Sequence, residues 1–135
     1  MSLCILDASM ALAWVLPIES DASDILEQVA AKGAIVPGLW ALEVGHVLLT
    51  AERKRRIVTA ERTQALELLA ALPISIDTET ARHAWSATMT LAAKHGLSLY
   101  DASYLELAIR CSRPLASRDA KLLRAASACS VPVIV

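Results

Sequence analysis

Two kinds of apolar pattern share this chain. Short apolar runs stand at 3–6 ("LCIL"), 34–37 ("AIVP"), 74–76 ("ISI"), 114–117 ("PLAS") and 131–135 ("VPVIV"). Runs this short, closed by a polar or turn-forming residue, predict buried strands. Between them apolar residues recur at helical spacing. The first such stretch, 9–16, is stopped by Pro17. The next takes Ser20 or Asp21 as its cap, runs through Ile25, Leu26 and Val29, and stops at Gly33. A third helix is predicted over 39–53, with Trp40, Val44, Val47 and Leu48 on one face. Thr59 caps a fourth, with Leu66, Leu69 and Leu72 turned inward and Pro73 as its end. Further helices are expected over 78–95, stopped by Gly96, then over 100–111 and 118–126.

Strands alternating with helices predict an α/β domain. Its mostly parallel sheet has about five short strands and is flanked by helices on both faces. The 135 residues form one domain, 1–135, with no repeat, linker or low-complexity tract.

Composition narrows the function classes. The apolar share is 56%, yet no run approaches the roughly 18 residues of a membrane span. Asp7 interrupts the first apolar run and no basic residue precedes it, which argues against a signal peptide. The apolar excess points instead to a face covered by a partner or a second copy. A net charge of −1 selects no partner. Cys4, Cys111 and Cys129 are odd in number and scattered, and read as reduced core residues of a cytoplasmic protein. His46, His83 and His95 lack zinc-ligand spacing.

One phrase is written twice. "LCILDASMA" ends an apolar run on Asp7, and "LSLYDASYL" repeats the sequence Asp-Ala-Ser at Asp101. Burying a carboxylate at the end of an apolar run is costly unless something compensates it. Glu43 falls in the opening turns of a predicted helix, and Asp119 follows the "PLAS" strand. All four acids therefore lie at strand ends or helix starts, the edge of an α/β sheet where ligands bind. Two carboxylates about 5 Å apart repel by about 3 kcal/mol at an effective dielectric of ~20. Four would protonate or recruit a cation, and oxygen ligands select Mg²⁺ or Mn²⁺. Taken singly, each acid also reads as a helix cap or a solvated glutamate. Together they favour one site, where a metal-held water would hydrolyse a phosphodiester.

Ser9 and Ser117, each two residues from a site acid, read either as helix caps or as hydroxyls turned to the same ligand. Arg53, Lys54, Arg55 and Arg56 form a basic run that steers a polyanion or simply faces solvent. Arg110, Arg113, Arg118, Lys121 and Arg124 are more dispersed and compatible with phosphate contacts. Trp14, Trp40 and Trp85 sit in apolar contexts and read as core.

Three segments, "LCILDAS", "VPGLWALEVGHVLL" and "GLSLYDASYLELAIRCSRPLASRDAKLLRAA", resemble the PIN domain, in particular its VapC toxin subgroup. The resemblance spans nearly the whole chain. It implies a Mg²⁺- or Mn²⁺-dependent endoribonuclease, the toxin of a type II toxin–antitoxin pair. An RNA substrate, a VapB-like antitoxin and a homodimer come with it. The family's acidic positions fall on Asp7, Glu43, Asp101 and Asp119, and its small hydroxyl residues on Ser9 and Ser117. Where the family often has Asn, this chain has His46, on the same helix face as Glu43; it orients Glu43, meets a phosphate, or packs in the core. Where the family often has Gly before "PLAS", this chain has Cys111-Ser112-Arg113. A phosphoryl-transfer domain with a nucleophilic Asp7 would want a second carboxylate where Ser9 stands. A nucleotide-binding module would want a glycine-rich phosphate loop, which is absent. The remaining alternative is a catalytically silent PIN-like protein that binds RNA or an antitoxin.

Overall fold

A computed structural model describes residues 2–16 and 23–135. Five parallel strands form one sheet: β1 (Cys4–Leu6), β2 (Ala34–Val36), β3 (Ile74–Ile76), β4 (Leu115–Ala116) and β5 (Val133–Ile134), in the order β3-β2-β1-β4-β5. The described helices are α1 (Ala8–Val15), α2 (Ser23–Lys32), α3 (Trp40–Arg53), α4 (Thr59–Ala71), α5 (Thr80–His83), α6 (Ala87–His95), α7 (Leu99–Cys111) and α8 (Ala120–Ala128). This is the expected α/β architecture.

The strand order dictates the layers. From β1 the chain moves to β2 and β3, then returns past β1 to β4 and β5. Right-handed crossovers place helices of the two directions on opposite faces. Accordingly α1, α3 and α4 pack together, and α6, α7 and α8 pack together. β1 lies between the two layers, and Cys4, Ile5 and Leu6 are wholly buried. Tyr104, Leu105 and Leu107 of α7, Met10 of α1 and Leu48 of α3 fill the two interfaces. Burial pushes the Cys4 thiol up to about 11, so it stays protonated and unreactive. Among the described residues no helix is long and apolar enough to cross a membrane.

Several sequence expectations need correction. The stretch 78–95 is two helices, not one. Ser86 leaves helical geometry, its hydroxyl bonding the His83 carbonyl at 3.4 Å while its own carbonyl takes the Thr90 hydroxyl. Such side chain–backbone bonds compete with the helix ladder. The break turns Trp85 outward, and at 88% exposure it is not a core residue. Trp40 is buried, and Trp14 packs half-buried against the core, as expected. Leu66 and Val47 are partly exposed rather than buried; Ala65 and Leu69 form the inner face of α4. Val58, not Thr59, precedes that helix. Its N–H donates to the Glu61 carboxylate at 2.9 Å, while the Thr59 hydroxyl donates to Glu52. α8 begins at Ala120, two residues later than expected, because Asp119 caps it. The expected cap at Ser20 or Asp21 and the stop at Pro17 lie outside the described residues.

Candidate active site

Strand order reverses between β1 and β4, and in open sheets a crevice opens beyond the strand ends at such a point. Asp7 is the first residue past β1, and Ser117 the first past β4. The ladder continues one bond beyond the strands, with the Asp7 N–H donating to the Ala116 carbonyl at 2.9 Å. That bond sets Asp7 beside Ser117. Asp7 stands at the N-cap position of α1 but makes no capping bond. Its Oδ2 instead accepts the Ser9 hydroxyl at 2.6 Å and the Ser117 hydroxyl at 2.7 Å. Each serine oxygen in turn accepts a backbone N–H from the β4–α8 loop, Ser9 from Arg118 at 2.9 Å and Ser117 from Asp119 at 3.0 Å. Neither serine is a helix cap.

The other acids arrive on helix starts. Glu43, in the first turn of α3, accepts the Tyr104 hydroxyl at 2.6 Å. Asp101 lies in the first turn of α7, where Ser98 caps the helix by accepting the Asp101 N–H at 3.0 Å. Asp119 caps α8, its Oδ1 accepting the N–H groups of Lys121 and Leu122 at 2.9 and 3.4 Å. The capping reading thus holds for Asp119 while placing it at the same crevice.

Electrostatics ties the four together. Burial raises the Asp7 pKa, its two serine bonds oppose the rise, and the Asp119 charge adds to it. Glu43 is raised by burial and then by Asp7 and Asp101. Asp101 is raised by burial and then by Asp119 and Asp7. The buried Tyr104 hydroxyl is pushed well above the ordinary phenol range by burial and by its bond to Glu43. Among the described residues no salt bridge reaches any of the four acids. Lys121 relieves Asp101 only as the weakest contribution.

The donors are all hard oxygens, and their negative charge is uncompensated, so the set fits a divalent ion such as Mg²⁺ or Mn²⁺. Among the described residues no three acidic, imidazole or thiol groups already stand close enough to hold one. Asp7 is turned to its serines and Glu43 to Tyr104, so closing on an ion requires side-chain rotation.

The remaining sequence candidates lie further out. His46, one turn beyond Glu43, is exposed rather than packed in the core, and lines a 530 Å³ cavity with Leu16, Thr50, Lys54 and Arg56. Arg53, Lys54, Arg55 and Arg56 are exposed at the far end of α3. Arg118 is exposed, its backbone fastened to Ser9. Tyr104 escaped the sequence reading. Its signal was present: it follows Asp101 by three residues on one helix face, and a tyrosine in an apolar helical run needs a partner for its hydroxyl.

The chain belongs to the PIN domain family, whose model matches residues 4–128. PIN domains are generally nucleases. The fold is similar to the crystal structure of PAE2754 from Pyrobaculum aerophilum, with a TM-score of 0.70 and 23% identity, covering 92% of this chain and 79% of that one. It is also similar to FitAcB from Neisseria gonorrhoeae, with a TM-score of 0.65 and 17% identity, covering 97% of this chain and 96% of that one. At these identities the likeness is one of fold. No curated protein matches the chain by sequence.

Proposed function

We propose that this chain is a Mg²⁺- or Mn²⁺-dependent endoribonuclease that hydrolyses RNA phosphodiester bonds. The observation that carries this reading is the gathering of carboxylates beyond the strand ends at the strand-order reversal. There Asp7, Glu43, Asp101 and Asp119 act on one another electrostatically, and no cation of the described chain is paired with them. Bound there, the divalent ion supplies the charge that activates water and stabilises the departing oxygen.

The residues of the chain do the positioning. Asp7, Glu43, Asp101 and Asp119 are the ligands. Ser9 and Ser117 orient the Asp7 carboxylate, and Tyr104 does the same for Glu43. His46 and Arg118, both exposed, are the side chains proposed to meet the flanking phosphates of a bound strand, with the basic run at 53–56 further along α3.

The resemblance to VapC supports a narrower role, a cytoplasmic toxin neutralised by a VapB-like antitoxin. A guanidinium of the antitoxin would replace the ion in the crevice, since a fork of N–H donors matches a carboxylate. A homodimer is supported by the exposed apolar side chains of Leu42, Trp85, Met89 and Tyr100. The test is incubation with total RNA and either Mg²⁺ or Mn²⁺, beside an Asp7→Asn control. Metal-dependent cleavage by the wild type alone supports the reading. Equal cleavage by both, or by neither, rejects it and leaves the silent binding protein.

A further inference from the structure

A second group of carboxylates lies outside the crevice. Asp77 is the first residue past β3, and Glu106 is a buried residue of α7. Arg110 holds both. Its Nη1 and Nη2 donate to the two Asp77 oxygens at 3.0 and 2.7 Å. Its Nε donates to both Glu106 oxygens at 2.8 and 3.0 Å. The connection continues, because the Thr80 hydroxyl donates to Asp77 at 2.8 Å and accepts the Gly38 N–H at 2.9 Å. Gly38 lies in the turn that leads into α3, five residues before Glu43, and Glu106 lies five residues after Asp101 on α7.

One continuous polar run therefore links the turn that leads into the helix carrying Glu43 to the helix that carries Asp101. Those helices belong to opposite layers, and the polar run joins them at the sheet edge in addition to the packed core. The Tyr104–Glu43 bond holds a side chain; the run through Arg110 holds backbone segments. A planar guanidinium bonded to a carboxylate at two points fixes an angle as well as a distance, which a lysine ammonium does not.

We propose that Arg110, with Asp77 and Thr80, is a strut that sets the spacing of Glu43 and Asp101, and through it the affinity and size preference of the crevice for a divalent ion. The strut rests on the metal-site reading above. Arg110 is a positioning residue, since its partners are Asp77 and Glu106 rather than any site acid. Loss of a group bonded directly to a ligand typically changes metal affinity by about 10–100-fold, and Arg110, which touches no site acid, should act more weakly.

The experiment measures Mn²⁺ binding to the full chain with the metal alone, by calorimetry or by loss of the free Mn²⁺ spin-resonance signal. Mg²⁺ and Ca²⁺ are then compared by competition. The chains are wild type, Arg110→Lys, Thr80→Val and the remote control Glu67→Gln. Arg110→Lys should weaken Mn²⁺ binding by about threefold, short of the roughly tenfold or more that follows loss of a group bonded to a ligand. It should also lower the preference for Mg²⁺ over Ca²⁺, because a slacker site accepts the larger ion. Thr80→Val should shift both in the same direction, and it carries the test if Arg110→Lys does not fold. A merely structural role would lower the melting temperature and leave affinity and ion preference at wild-type values; that result overturns the strut. A wild type that binds no Mn²⁺ overturns the metal reading itself, whatever the variants do.

Discussion

Carboxylates gather in two places at the C-terminal edge of one sheet, and helix α7 contributes to both. At the strand-order reversal, Asp7, Glu43 and Asp101 are raised by burial and then by neighbouring carboxylates: Asp7 by Asp119, Asp101 by Asp119 and Asp7, and Glu43 by Asp7 and Asp101. Beside it, Asp77 is held below the usual carboxylate range, chiefly by its bonds to Arg110. The difference is not a shortage of cations near the crevice. Arg118 and Lys121 flank Asp119 in sequence, yet Arg118 is exposed, and Lys121 offers the site only its backbone N–H and a weak field. The fold supplies one acid group with an internal cation and leaves the other in need of one from outside. That contrast is the physical content of the metal-site reading.

The largest effect that tests it is on activity. Asp7→Asn should lower metal-dependent RNA cleavage by more than about 100-fold, beyond the range for residues outside the ligand shell. Circular dichroism should show an unchanged fold. A purified variant that keeps its cleavage removes Asp7 from the chemistry.

Stability should separate the two groups next. Arg110→Met leaves Asp77 and the buried Glu106 without their shared cation; because Arg110 is exposed and Asp77 only partly buried, the loss is about 1–2 kcal/mol. For a chain of this size that lowers the melting temperature by roughly 3–7 °C. Asp101→Asn, which removes one of several like charges, should leave the metal-free melting temperature unchanged or raise it. If both substitutions destabilise equally, the two groups are not different in kind.

Metal should then act on one group only. At about ten times its dissociation constant, Mn²⁺ or Mg²⁺ contributes roughly 1.4 kcal/mol. That raises the melting temperature by about 3–6 °C. Asp7→Asn and Asp101→Asn should abolish most of the rise at constant ionic strength, and Glu67→Gln should keep it. An equal response in all four chains means that the carboxylates do not form one site.

The pH dependence is subtler. Asp7, Asp101 and Glu43 have folded values raised above the ordinary 3.8, 3.8 and 4.5. Each binds its proton more tightly folded than unfolded, so its contribution is full below those ordinary values and is lost as pH rises through the raised ones. Asp77 runs the other way: its contribution is present above 3.8 and is lost as pH falls through its lowered value. The metal-free protein should therefore gain stability as pH falls from neutral through the raised values of these acids, and lose the Asp77 contribution only below its ordinary 3.8. Saturating Mn²⁺ should reverse the upper slope, because protons compete with the ion. Melting curves that rise with pH in the absence of metal would contradict the crevice electrostatics.

The smallest expected effect concerns the basic run. Neutralising Arg53, Lys54, Arg55 and Arg56 should make the salt dependence of RNA binding shallower, since fewer counterions are released. An unchanged slope assigns the run to plain solvation.

Read alone, the chain determined its strands, most of its helices and the four acids, because each is marked locally. A short apolar run with a polar stop names a strand wherever it packs, and an acid at the end of such a run is conspicuous before any fold exists. What local pattern does not contain is direction in space. The repeated Asp-Ala-Ser shows this most directly. Asp7 straddles a strand end and a helix start, which turns Ser9 onto its carboxylate, whereas Asp101 is already inside α7, and Ser103 bonds back to the Tyr100 carbonyl. Trp85 read as core because its neighbours are apolar, but the break at Ser86 faces it to solvent. Tyr104 and Glu43 are 61 residues apart, as Arg110 and Asp77 are 33 apart, and nothing along the chain pairs them. Only the strand order, with its reversal between β1 and β4, decided which acids share a crevice and which one received an arginine. Charges interact through distance in space, and that distance is a property of the packed layers rather than of the sequence spacing.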